Sequence, residues 1–161
     1  MRDKKLDAHL SSIADNVTRD MADIAKLTLE DSVQYMVYGA YIPHISGYNR
    51  TNTLKNSITV LDYNKSKNGS QAIIGHDYSM MNYTSVYGKK VAPEMIVDIV
   101  NKGFLYGAIK HKGYWHERRD YNPTVHTFIE SRPYFQTAKN MLAVTLTSSM
   151  DNIVSKYGDF I

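Results

Sequence analysis

Apolar residues recur at spacings of three and four through the start of the chain: Leu6, Leu10, Ile13, Val17, Met21 and Ile24, with Ala22, Ala25, Leu29, Val33 and Met36 continuing a similar stripe. That period puts them on one face and predicts a helical region over 1–40. Asp15-Asn16 or Thr18 offers a point where the region divides into two helices. The helical pattern stops before Gly39 and Pro43, since the residue preceding a proline is steered toward extended geometry.

The pattern then changes. Residues 43–57 read as a loop from Pro43, Ser46, Gly47, Asn49, Thr51 and Asn52. The β-branched run Ile58-Thr59-Val60-Leu61 predicts a strand, and Gln71-Ala72-Ile73-Ile74-Gly75 predicts its partner. Between them Asn64 to Ser70 reads as a polar turn, with Asn68-Gly69 as the hairpin signal, so 58–88 forms a hairpin or sheet region. Pro93 suits a first helical position, and Met95, Ile96, Ile99 and Val100 form a face ahead of Gly103. Residues 104–127 show no sustained period and read as a long loop or irregular hairpin, a form that in a compact domain usually serves function or assembly. A final stripe, Phe135, Ala138, Leu142, Leu146, Met150, Ile153 and Tyr157, predicts a helix over 133–158 that Gly158 is placed to end.

The elements describe an α+β domain: a small, mainly antiparallel sheet packed by a long N-terminal helix and a C-terminal helix. At 161 residues the chain suffices for one domain, 1–161, with a core of its own. No window approaches the ~20 apolar residues of a membrane span, so no membrane partner is expected. Met1 to Asp7 turns polar where a signal peptide needs an apolar run, which predicts retention in the cytoplasm where the protein is made. The chain has no cysteine, which removes disulfides and thiolate metal sites and leaves packing or assembly to supply stability.

Charge alters the picture in one place. The net +3 is carried by residues 81–120, where Lys89, Lys90, Lys102, Lys110, Lys112, Arg118 and Arg119 face Glu94, Asp98, Glu117 and Asp120. Within that stretch, Lys110 to Tyr121 interleaves cations with Tyr114, Trp115 and Tyr121. Such a mixture stacks bases and neutralises phosphates, and it is also what protein interfaces concentrate around an anchor such as Trp115. Lys110, Lys112, Trp115, Arg118 and Arg119 are therefore read as an interface or a DNA contact.

Catalytic chemistry finds little support. Neither G-x-G-x-x-G nor G-x-x-x-x-G-K-[ST] occurs, and no G-x-S-x-G elbow occurs. His111 and His116 lie near Glu117 and Asp120, but a separation of five does not put both histidines on one helical face as a zinc helix does; surface histidines in a basic loop are the simpler account. His76-Asp77 and His126 have no supporting spacing. No enzyme activity, cofactor or metal is expected.

One constellation is sharper. Thr51-Asn52-Thr53-Leu54-Lys55-Asn56-Ser57-Ile58 resembles the P-x-D-T-G-x-L-R-x-S-I signature of the neck proteins of tailed bacteriophages, called head-tail connector, head-tail joining or tail-completion proteins. Thr51, Leu54, Ser57 and Ile58 match directly. Asn52 stands for the glycine and Lys55 for the arginine, mild exchanges because Asn tolerates positive φ and Lys keeps the charge while losing the bidentate fork. At the other end, Arg132-Pro133-Tyr134-Phe135-Gln136-Thr137-Ala138 is similar to the family's R-P-F-L-x-x-A, in which proline opens the helix and two aromatics pin it to the sheet. The family's middle stretch, Y-A-x-x-V-E-x-G-T, has two counterparts here, 83–88 and 96–103, and neither keeps the glutamate. Residues 104–127 are insertion-like relative to compact members.

The resemblance implies a structural virion subunit without a reaction of its own, assembled in the host bacterial cytoplasm and resident in the virion neck. Its implied partners are copies of itself in a hexameric ring, a portal-side connector protein, and a tail terminator or tail tube protein, with transient contact to DNA in the channel. Leu54 and Ile58 are then expected in the core, and Asn52 in a conformation that tolerates glycine. Two other readings stand beside it: a DNA-binding or DNA-processing protein using the 102–121 segment, and another minor capsid or tail-terminator subunit.

Overall fold

The computed structural model describes residues 4–39, 52–66, 69–84, 90–102, 104–105, 128–129 and 131–158. Its fold class is α+β, and its contacts group into two units, Met1–Met81 with Tyr134–Ile161 and Asn82–Pro133.

In the first unit, helix α1 runs unbroken from Lys4 to Val33 and passes into a π-helical segment, Gln34–Gly39. The division allowed at Asp15-Asn16 or Thr18 does not occur. No Gly or Pro lies between residues 4 and 38, and the Thr18 and Thr28 hydroxyls donate back to the Ala14 and Ile24 carbonyls (both 2.8 Å) instead of competing for the helical bonds. A single turn, α2 (Thr53–Asn56), precedes strand β1 (Ile58–Ser66), which pairs antiparallel with β2 (Gly69–His76). The strands extend further toward the tip than their apolar runs do, because Asn64, Lys65 and Ser66 pair with Gln71, Ser70 and Gly69 through backbone that requires no apolar side chain. Gly69 takes φ 143°, a conformation glycine supplies at little cost. A register shift between Val60 and Asp62 frees Leu61 to lie over Gly75, where a Cβ would sit 2.9 Å from the Leu61 Cδ1.

Helix α4 (Tyr134–Gly158) closes this unit. α1 packs against both strands of the hairpin and against α4. Ala22, Leu29, Val33, Leu54, Ile58, Tyr134, Ala138 and Ile153 are buried. The hydrophobic term from such apolar area, about 25 cal/mol per Å², is what drives these helices and the hairpin together.

In the second unit, β3 (Tyr83–Thr84) pairs antiparallel with β4 (Lys90–Val91), and α3 (Pro93–Lys102) follows with Val97 buried. Pro93 occupies the first helical position, where its missing N–H costs nothing. β5 (Phe104–Leu105) pairs antiparallel with β6 (Phe128–Ile129), so the ends of the intervening chain meet. The chain leaving β6 then satisfies the last turn of α3: the Arg132 N–H donates to the Val100 carbonyl at 3.0 Å, and the Ser131 hydroxyl donates to the Asn101 carbonyl at 2.8 Å.

Candidate functional site

Residues 52–58 of the first motif segment and the part of the second from Tyr134 onward meet in the first unit. Asn52 adopts φ 53°, ψ 16°, the left-handed region, and its carbonyl accepts from the Asn56 N–H at 2.9 Å to start the α2 turn. That turn delivers Leu54 inward with 4% of its surface exposed and Ile58 with 2%. It also buries Ser57, whose hydroxyl donates to the Leu54 carbonyl at 2.9 Å and lies 2.8 Å from His76 Nδ1. The other ring nitrogen, Nε2, lies 2.9 Å from the Tyr134 hydroxyl. Tyr134 comes from the second motif segment and opens α4. Its carbonyl accepts from the buried Ser32 hydroxyl of α1 at 2.5 Å.

One tautomer satisfies every member of this chain. With the proton on Nδ1, His76 donates to Ser57, Ser57 donates to Leu54, and Tyr134 donates to Nε2. His76 is then neutral, and burial lowers its pKa from the ordinary 6.5 to about 4. Rings enclose it: Tyr134 and Phe135 both meet the imidazole edge-on with centroids 5.7 Å away, and they stack on each other at 4.7 Å. A serine beside a histidine can be a nucleophile and its base, but Ser57 exposes none of its surface and its proton is engaged by a carbonyl. The arrangement fastens together the motif turn with β1, the end of β2, and the start of α4 held on α1.

Two charged clamps lie further along α1. Asp15 accepts from the Tyr63 hydroxyl and from Ser70 on the hairpin, with Arg19 at 3.6 Å and Lys65 at 3.8 Å. Tyr63 first, then the two cations, hold its carboxyl below the usual range. Asp20 accepts from Lys156 Nζ at 2.7 Å and from the Tyr157 hydroxyl at 2.9 Å, both on α4, and these bonds lower its pKa in that order. A groove of about 370 Å³ lies there, lined by Asp20, Asp23, Ile24, Ser149, Asn152, Ile153 and Lys156. Among the described residues no group of His, Asp or Glu is arranged to hold a metal ion, and no helix is long and apolar enough to cross a membrane.

Of the residues singled out in the sequence, Asn52, Leu54, Lys55, Ser57, Ile58 and Phe135 fall in or beside this knot, with Lys55 half-buried and Asn52 exposed. Arg132 and Pro133 belong to the other unit, where the Arg132 backbone caps α3. Thr51, Lys110, Lys112, Trp115, Arg118 and Arg119 lie outside the described residues. His76, Tyr134 and Ser32 carry more of the knot than the sequence reading allotted them. The available signal for His76 was its register: it ends an apolar run at a position paired with the inward-facing Ile58. Comparison of the chain with protein-family models, with curated proteins and with solved structures gives no match.

Proposed function

We propose that this chain is a non-enzymatic structural subunit of the neck of a tailed bacteriophage, a ring-forming tail-completion or connector protein between the portal side of the head and the tail. The observation that carries this reading is the convergence of its two motif segments. Residues 52–58 and Tyr134-Phe135 are far apart in sequence, yet they are joined through His76 by hydrogen bonds of 2.8 and 2.9 Å. A chance likeness in two short segments gives no reason for them to share one buried network, whereas a family that keeps both does. The α+β architecture and the order of its elements agree with the layout the resemblance implies. The role is then geometric: α1, the hairpin and α4 make a rigid body, and surfaces outside the knot reach neighbouring copies and the proteins above and below.

The positive excess to which Lys110, Lys112, Arg118 and Arg119 contribute suits either a subunit contact or a DNA contact within the same role. Negative-stain electron microscopy of the purified protein, alone and added to DNA-filled heads that lack it, tests the reading. Rings with a central channel, and heads that become competent to accept tails, are the expected outcome. Dispersed particles that bind DNA with a steep salt dependence would instead favour the DNA-binding alternative.

A further inference from the structure

α4 is held within the first unit at two places far apart along its length. At its start Tyr134 and Ala138 are buried, and the Tyr134 hydroxyl enters the knot. Near its end Ile153 is buried, and Lys156 and Tyr157 reach Asp20 of α1 at 2.7 and 2.9 Å. About 33 Å of helix separates Tyr134 from Lys156. A helix fastened at two such remote points can release one while keeping the other, because packed elements open locally as well as globally.

The two places differ in how they meet a proton. In the knot both imidazole nitrogens are engaged, Nδ1–H with Ser57 at 2.8 Å and Nε2 with the Tyr134 hydroxyl at 2.9 Å. A second proton, on Nε2, would point at the one Tyr134 already directs there, so that bond has to turn or break. What faces the ring is neutral: the Ser57 hydroxyl and Leu54 carbonyl from the motif turn, the Tyr134 hydroxyl and Phe135 ring from α4, and from α1 the Ser32 hydroxyl behind Tyr134. The nearest charges along these elements offer an imidazolium no compensation. Lys55 of the turn and Lys139 of α4 are themselves cations, Asp77 accepts from the Ser79 N–H and hydroxyl at 2.9 and 2.6 Å, and Glu30 of α1 lies 3.4 Å from Lys26. Burial therefore dominates the ionisation of His76, opposed only by the Leu54 carbonyl. At the far end nothing titrates in the same range, since Asp20 is lowered below 3.8 and Lys156 raised above 10.5.

We infer that the knot is an acid-released latch: proton uptake by His76 frees the start of α4 from the motif turn and the end of β2, while Ile153 and the Asp20 clamp keep the far part of α4 on α1. The open form binds the proton that the closed form refuses, so opening is favoured as pH falls below 6.5 and levels off near 4. Between these limits one proton makes the opening constant rise by about tenfold per pH unit. Opening gives water access to Tyr134, Ala138, Leu54 and Ile58, which the closed form buries. The latch belongs to the single subunit and does not depend on the ring reading.

Hydrogen exchange of the full chain, followed by mass spectrometry at pH 7, 6 and 5 and corrected for the intrinsic pH dependence of amide exchange, reads the latch. Peptides covering 53–60, 72–77 and 134–142 are expected to open more readily by about tenfold from pH 6 to pH 5, while those covering 15–22 and 149–157 keep their protection. In His76→Gln, checked for parental helicity by circular dichroism, the response to pH should vanish. Flat protection in the knot peptides of the parent would overturn the latch. So would an equal loss in every peptide, which is unfolding of the whole unit, or a response that survives in His76→Gln, which assigns it to another group. Where His76→Gln does not fold, the imidazole resonances of the parent decide: His76 should keep its neutral chemical shift in the closed form from pH 7 to pH 5, and an imidazolium shift there would show that the closed knot accepts the proton and overturn the proposal.

Discussion

α1 is fastened near Ser32 and again near Asp15 and Asp20, and the two regions use opposite chemistry. The bonded groups of the knot at Ser32 are neutral and buried: the Ser32 hydroxyl, the Tyr134 carbonyl and hydroxyl, the His76 ring and the Ser57 hydroxyl form one satisfied network. Around Asp20 the groups are charged and partly in water, with the Lys156 side chain 59% exposed and that of Asp20 30%. Buried donors and acceptors are expensive to leave unpaired, at about 1–3 kcal/mol each, so the first region accepts one arrangement and rejects others. Exposed ion pairs contribute little and are screened by salt, so the second region tolerates change. The difference assigns the specification of the fold to the knot and adjustment of the helix pair to the clamps.

The strongest way to break this contrast is to empty the site beneath the motif turn. Leu54→Ala removes a side chain that is 4% exposed, and it is expected to cost about 2–5 kcal/mol in urea unfolding, the usual range for a buried leucine. Asn52→Gly, at φ 53°, should be nearly neutral, because glycine adopts that conformation freely. A Leu54→Ala protein as stable as its parent would reduce the turn to a surface loop and separate the two motif segments physically.

Acid sharpens the contrast. Burial holds the His76 pKa near 4 while the unfolded chain keeps the ordinary 6.5, so between these values the unfolded state binds the proton that the folded state refuses. Stability is therefore complete above pH 6.5 and falls as pH is lowered toward 4, by about 3 kcal/mol in all. Unfolding midpoints at pH 7 and pH 4.5 should show this slope in the parent and its loss in His76→Gln. A slope that survives the substitution would mean that other groups carry it. Asp15 and Asp20 do not confuse the test, since their pKa values lie below 3.8 and their contributions fade only in stronger acid.

How much of this was legible beforehand follows from the same physics. The long stripes of α1 and α4 were readable because packing one face imposes a period, and the motif turn was readable because a buried Leu54 and a left-handed Asn52 leave residue signatures. The hairpin tip was not: Asn64 to Ser70 is polar because both faces near the tip meet water, yet its backbone pairs nearly to the end. His76 carries no signature in the sequence because its partners, Ser57 and Tyr134, are remote along the chain, and only the folded register reveals that an imidazole sits between two hydroxyls. Tyr134 and Phe135 are both aromatic neighbours and composition does not separate them; the backbone decides which turns inward, and it buries Tyr134 completely while leaving Phe135 at 36%.

The smallest expected effect probes the clamp. Asp20→Asn keeps the shape of the side chain but removes its charge, and Lys156→Met removes the cation while keeping most of its length. Each should lower the unfolding midpoint by less than Leu54→Ala does, and the double variant should lose less than the two singles combined, because they share one interaction. The pair is visible from both ends of the pH scale. Asp20 has its pKa lowered, first by the Lys156 hydrogen bond and then by Tyr157, so its share is present above 3.8 and fades as pH falls through the folded value. Lys156 has its pKa raised, first by the Asp20 hydrogen bond, so its share is present below 10.5 and fades as pH rises through the folded value. Raising salt to about 1 M, where the screening length is ~3 Å, should erase the difference between Asp20→Asn and the parent while leaving the Leu54→Ala loss untouched. A clamp whose coupling survives that salt would be acting through Tyr157 and the packing of α4, and the contrast between a specifying knot and an adjustable clamp would have to be withdrawn.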